Sequence, residues 1–308
     1  MSLQIHLMGP RPGANLPRVV GDLDPEAMVA MVTAGWQERE GDDAELRELA
    51  GHRTTNLALN ARCLAVYEED REYAHAEREH EAALAELRQL YLVQLDHALS
   101  AAYEVARRSD ARPRLRERAV TDSLRVVQLL DEQHMQRVGW AQQAFYDAWR
   151  PQERAALARH REEIQHLLEG SAALLIAGGH VGELAKVLHM FHVAPHLPPR
   201  VVAWSAGAMA LSERVVLFHD FVPHGVAQTE VYGAGIGVVP DVVVLPHARR
   251  RLRVGDRIRM SVLARRFAPA HCLVLDDVTR VALTEDRGLP AEARVLHSDG
   301  HIAELEAA

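Results

Sequence analysis

The chain has 308 residues, a formal net charge of −8 and two cysteines, which is long enough for one large domain with an addition, or for two domains. The negative charge, with no basic stripe carrying interleaved aromatics, excludes a general nucleic-acid binder, and no apolar run approaches membrane-spanning length. Cys63 and Cys272 lie far apart in unlike contexts, which argues against a disulfide framework; with no signal-peptide lead-in over Met1 to Gly9, a soluble cytoplasmic protein is expected.

Strands are predicted at about 3 to 8 and 28 to 34. Between Gly51 and Gly170 the texture changes: Gly139, Pro113 and Pro151 are the only glycine or prolines in the interval, so it reads as helical throughout. Leu84, Leu87, Tyr91, Leu95, Ala98, Ala102 and Val105 recur at three- and four-residue steps, predicting one helix from about 60 to 108, roughly 70 Å long. Ser109 to Pro113 form a turn with proline placed to start the next helix, which Trp149-Arg150-Pro151 ends. A last helix closes at Gly170. Residues 51–169 thus read as a helical hairpin inserted between the second and third strands, with 1–50 and 170–308 forming the remainder. The apolar stripe is buried within the hairpin, and a second copy of the chain or a lid over a site are further uses. Six aromatics, Tyr91, Tyr103, Trp140, Phe145, Tyr146 and Trp149, favour self-association as a homodimer through this insertion.

Further strands are predicted at 172 to 177, 200 to 204, 214 to 218, 242 to 245 and 272 to 276. The apolar run Val201-Val202-Ala203 leads directly into Trp204-Ser205-Ala206-Gly207-Ala208, the pattern of a nucleophile elbow with small residues two before and two after the serine. A serine hydroxyl needs a histidine to take its proton and an acid to orient that histidine. His247 follows the β-branched run Asp241 to Pro246, and Asp220 closes Arg214 to Phe218, so each sits at a strand's carboxyl end, where chemistry gathers in open α/β sheets. His219 and His224 are weaker candidates for the base, and Glu213 and Glu230 rival Asp220 as the acid. Arg249 and Arg250, with Arg251 and Arg253, are placed to hold a substrate carboxylate or to open a solvated helix. His189, His192 and His196 lack a completing carboxylate or cysteine, so no metal and no cofactor are expected.

These segments resemble the serine peptidase family of alpha-aspartyl dipeptidase (peptidase E) and cyanophycinase. Trp204 to Ala208 is similar to that family's nucleophile segment, Asp220 falls where the peptidase E branch carries its acid, and Pro246-His247 resembles its base. Leu174-Leu175-Ile176-Ala177-Gly178-Gly179 is similar to the family's strand and glycine pair. The resemblance implies that the amides of Gly179 and Ala206 form an oxyanion hole. It also implies an α/β fold of the class I glutamine-amidotransferase-like kind, a parallel or mixed sheet flanked by helices, here with a long α-helical insertion. His180 departs from the Gln or Asn more familiar after the glycine pair, and it is a candidate substrate-binding residue. The match covers 170 to 308 well, 1 to 50 weakly and 51 to 169 not at all. The α/β-hydrolase fold is the competing assignment, but 42 residues between Ser205 and His247 leave little room for its elements. The expected function is a serine hydrolase, a peptidase or amidase on a small or unusual peptide. A non-catalytic binding module or an acyltransferase using the same triad are the alternatives.

Overall fold

The computed structural model describes residues 3–13, 15–221 and 229–305. The chain begins with β1 (Gln4–Met8), α1 (Leu16–Val20) and β2 (Met28–Val32), then a 3-10 segment Ala34–Arg39, α2 (Ala44–Ala50) and β3 (Arg53–Asn56). Four helices follow: α3 (Leu59–Glu69), α4 (Arg71–Arg107), α5 (Pro113–Trp149) and α6 (Ala155–Glu169). The chain then returns through β4 (Ala173–Ile176), α7 (Val181–Met190), β5 (Arg200–Trp204), α8 (Ala206–Leu211), β6 (Arg214–Leu217) and β7 (Glu230–Ala234). Last come β8 (Val242–Pro246), α9 (Ala248–Arg251), α10 (Arg257–Phe267), β9 (His271–Leu275), β10 (Arg280–Ala282), β11 (Arg294–Leu296) and β12 (Ile302–Glu304).

The main sheet has the order β10-β1-β5-β4-β2-β3, parallel except for β10. A second sheet runs β12-β11-β9-β8, with β8 and β9 parallel, and β6 and β7 form a hairpin of their own. Helices cover both faces of the main sheet, and this explains why β4 is buried along its whole length and reads as an unbroken apolar run; β8, in the second sheet, is buried along its length as well. Side chains alternate across the main sheet. Ile5, Leu7, Ala30, Val32, Leu174 and Ile176 enter one core, while Met8, Val29, Met31, Ala173 and Leu175 enter the other. The fold is the expected α/β architecture with mixed sheets, flanking helices and a long helical stretch.

Two expectations about the helical region need correction. The stretch 51–169 begins with a strand, β3, paired in parallel to β2 from Met28↔Arg53 to Met31↔Asn56, so the helices are inserted after the third strand in sequence. Arg-Thr-Thr-Asn carries no apolar residue to announce a strand. It is held at the sheet edge by its ladder and by Asn56, whose Nδ2 donates to Thr33 Oγ1 and Asp43 Oδ2, each at 2.8 Å. Second, the helix from 60 to 108 is two helices. Asp70 leaves the helical region (φ −122°, ψ 80°), caps α4 by accepting from Tyr73 N at 3.0 Å, and takes both Nε and Nη2 of Arg154 at 2.7 and 2.6 Å. The 37 residues of α4 span about 55 Å. Pro113 starts α5 as predicted.

The hairpin of α4 and α5 is bound to the body through a buried polar knot. Arg266 on α10, 3% exposed, meets Asp131 of α5 with Nε and Nη2 both at 2.7 Å, and also donates to Tyr91 Oη of α4 and to the Thr229 carbonyl. Tyr91 donates to Asp131 at 2.7 Å and accepts from Val231 N at the start of β7. The aromatics that favoured self-association are used inside the chain. Tyr91, Tyr103 and Phe145 are buried, Tyr146 and Trp149 pack against the core, and Trp140 is the exposed one. No helix among the described residues is long and apolar enough to cross a membrane.

Candidate active site

β5 ends at Trp204, and Ser205 turns the chain into α8 with φ 52° and ψ −121°, a conformation that costs an L-residue energy and persists only where the surroundings impose it. The surroundings are the ends of β1 and β4. Ser205 N donates to the Met8 carbonyl at 3.2 Å, extending the Met8↔Trp204 register by one residue. Gly207 lets α8 start against β4, because a methyl group there would collide with the Ile176 carbonyl. The glycine pair closes the other side: a methyl on Gly178 would lie 2.9 Å from Ser205 Cβ and 3.3 Å from its Oγ. Gly179, at φ 125°, has no room for a side chain against the Gly35 backbone. Ser205 is half-buried, and its Oγ makes no hydrogen bond among the described residues. Neither do the amides of Ala206, next to it in the chain, and Gly179, next to the Gly178 that packs on its side chain.

His247 leaves the end of β8 in a left-handed conformation (φ 56°, ψ 31°), with its N–H bonded to the Leu275 carbonyl at 3.1 Å. The register Pro246↔Leu275 brings His247 and Asp276 off the sheet side by side. This edge adjoins the serine through β1: Gly9, one residue beyond the carbonyl that holds Ser205, is so close to the next turn that a methyl there would sit 2.5 Å from the carbonyl oxygens of Asp276 and Asp277. No hydrogen bond joins Ser205 to His247 among the described residues. The Nδ1 of His247, the atom an orienting acid would hold, is buried without a partner. Burial lowers the His247 pKa, Arg251 and Arg250 lower it further, and Asp277 and then Asp276 pull it back up.

The predicted acid lies elsewhere. Asp220 is 2% exposed, and its carboxylate is taken by Arg259 Nη2 at 2.6 Å and by Arg253 N at 2.8 Å, so it ties the start of α10 and the α9–α10 turn to β6 rather than meeting His247. Glu230 is paired with Arg88 of α4 and Glu213 is exposed, accepting from Asp241 N at 3.4 Å. The carboxylates at the His247 edge are Asp276, which holds Arg249 Nε at 3.2 Å, and Asp277, which makes no ion pair among the described residues. The sequence pattern passed over both because their placement depends on the pairing of β8 with β9, nearly thirty residues apart.

Of the substrate candidates, Arg249 is exposed and spent on Asp276, while Arg250 is exposed beside His247. His180 caps α7, its Nδ1 accepting from Glu183 N at 3.1 Å. His219 is exposed and accepts from Phe221 N, and His224 lies outside the described residues. Gln37 repeats the backbone of Ser205, φ 56° and ψ −120°, just beyond β2 on the same sheet edge.

No protein-family model matches the chain, and no curated protein matches it. Among solved structures, the chain is similar to a crystal structure of a peptidase from an acI-B1 Actinobacterium, at 14% identity and a TM-score of 0.44, over 97% of this chain and 92% of that one. At that distance the likeness carries no argument about activity, which has to be argued from the site.

Proposed function

We propose that the chain is a serine hydrolase cleaving the amide bond of a small peptide, with Ser205 as nucleophile and His247 as general base and then general acid. The observation that carries this reading is the strained backbone of Ser205 at a strand's carboxyl end, with the Gly178-Gly179 pair packed against its side chain and the amides of Ala206 and Gly179 left without a backbone partner. In the first step Oγ bonds to the carbonyl carbon while its proton passes to His247 Nε2, and the two amides hold the oxyanion. The imidazolium then gives its proton to the leaving amine as the C–N bond breaks. Water, deprotonated by His247, releases the acyl group.

The carboxylate that steadies the imidazolium is assigned to Asp277, with Asp276 beside it. Asp220 acts at one remove, by fixing Arg253 and Arg259. The resemblance to the peptidase E and cyanophycinase family accords with the nucleophile, base and oxyanion assignments.

A fluorophosphonate probe tests the reading, since it labels only an activated serine. Wild type is expected to label at Ser205, and both Ser205→Ala and His247→Ala to reduce labelling by at least about a thousandfold. Asp277→Asn is expected to slow labelling more than Asp220→Asn at equal folded fraction. The reverse order returns the orienting role to Asp220, and an unlabelled wild-type serine removes the hydrolase reading altogether.

A further inference from the structure

Beyond the oxyanion glycine, contacts run from the nucleophile to the helical insertion. Gly178 touches Ser205, Gly179 is exposed, His180 caps α7, and Gly182 lies in the first turn of that helix against β7. A methyl on Gly182 would come within 2.5 Å of the Tyr232 hydroxyl oxygen and 3.1 Å of His180 Cε1, so the phenol and the imidazole lean over the same glycine. Arg88 of α4 lies over the Tyr232 ring, its Cζ 5.1 Å from the centroid, and is anchored to Glu230 two residues before the tyrosine. The insertion therefore fixes the position of Tyr232.

Both side chains offer a hydrogen-bond donor that nothing in the described chain uses. His180 Nδ1 accepts from Glu183 N–H, so in the neutral ring the proton sits on Nε2. The Tyr232 hydroxyl has no hydrogen-bond partner among the described residues, and burial raises its pKa, which keeps it protonated. The nearby charges are already matched: Arg88 with Glu230, and Lys186 with Glu81 and Glu183, each at 3.0 Å. A site with two hydrogen-bond donors and no unmatched Lys or Arg suits a neutral acceptor better than an anion.

We propose that Tyr232 Oη and His180 Nε2 together bind a carbonyl oxygen of the substrate chain beyond the scissile bond, making them specificity-determining residues for a peptide over a simple amide or a free acid. The proposal rests on Ser205 being the nucleophile of a hydrolase. Arg88 is a positioning residue, acting through Tyr232.

Two fluorophosphonate probes of equal length test it, one with a plain alkyl chain and one with an amide carbonyl within that chain, comparing the rates at which they label Ser205. One hydrogen bond's worth of preference predicts that wild type reacts about tenfold faster with the amide-bearing probe. Tyr232→Phe and His180→Ala are each expected to lower the ratio of the two rates, and the double variant to bring it close to one; His180 is exposed, so its replacement does not put the fold at risk. A wild-type ratio near one, or a ratio that survives both substitutions, overturns the proposal while leaving the hydrolase reading intact. Failure of both probes to label wild-type Ser205 sinks that reading and the proposal with it.

Discussion

Glu77 is a carboxyl held against its own solvation. It is 8% exposed at the start of α4, its Oε2 has no partner, and burial, followed by the neighbouring charge of Glu81, pushes its pKa from the usual 4.5 to about 7, with Lys186 and Tyr73 opposing. The folded state thus holds the proton more tightly than the unfolded one. Stability from this group is fully present below about pH 4.5 and is lost as pH rises toward 7, by an amount on the order of 3 kcal/mol. Glu77→Gln is expected to match wild type near pH 5 and to exceed it in urea stability at pH 8; equal pH dependence in the two proteins would show that Glu77 ionises freely. His247 is the opposite case, since burial and the Arg251–Arg250 pair favour its neutral, base-competent form at neutral pH. The labelling rate of Ser205 is expected to rise with pH along a limb lying below the ordinary histidine value and then to level off. Arg251→Ala removes a cation and should move that limb upward; an unmoved limb would mean that another group controls it. The strand-end position of His247 was legible because a β-branched run ends at it, and the tight turn at Ser205 because its neighbours are small. Asp277 was not, since nothing local distinguishes it from the other surface aspartates.

Elements were readable where burial was two-sided. β4, β5, β8 and β9 are apolar along nearly their whole length because helices or another layer cover both faces, and each is visible as a run of Val, Leu and Ile. β3 was missed for the converse reason: Arg53 to Asn56 form an edge strand stabilised by polar side-chain bonds, which have no periodicity to detect. The break between α3 and α4 was missed because Asp70 lies among many acidic residues, and only the arrival of Arg154, 84 residues later, shows which of them caps a helix. This makes a test at the level of the element. Asp70→Ala removes the cap and the Arg154 partner, with an expected loss of about 1–2 kcal/mol, whereas Asp70→Asn keeps an acceptor for Tyr73 N and should recover roughly half of it. Equal losses in denaturant titrations of the two variants would place the whole effect in the ion pair.

For the whole molecule, the question is whether the helical hairpin is an appendage or part of the core. Its apolar stripe enters the same cluster as the sheet, with Tyr91, Leu95 and Leu99 of α4 and Val120, Leu124 and Val127 of α5 buried alongside Leu174, Ile176 and Val201. No pattern within the hairpin could reveal this, because the deciding partner, Arg266, lies more than a hundred residues further on. That guanidinium and Asp131 are both almost completely enclosed, so each depends on the other to offset its desolvation. Removing only one strands a buried charge, and Asp131→Ala is therefore expected to cost about 3–5 kcal/mol and to unfold the whole chain in one transition rather than release the hairpin alone. Replacing both, as Asp131→Leu with Arg266→Met, should be markedly less destabilising than the sum of the single changes, because no unpaired charge remains. Urea unfolding followed by helical circular dichroism and by hydrogen exchange at Tyr91 and Leu174 decides the matter. Two separate transitions, with α4 and α5 melting first, would make the hairpin an independent unit, and additive single and double effects would reduce the Arg266–Asp131 pair to an ordinary contact.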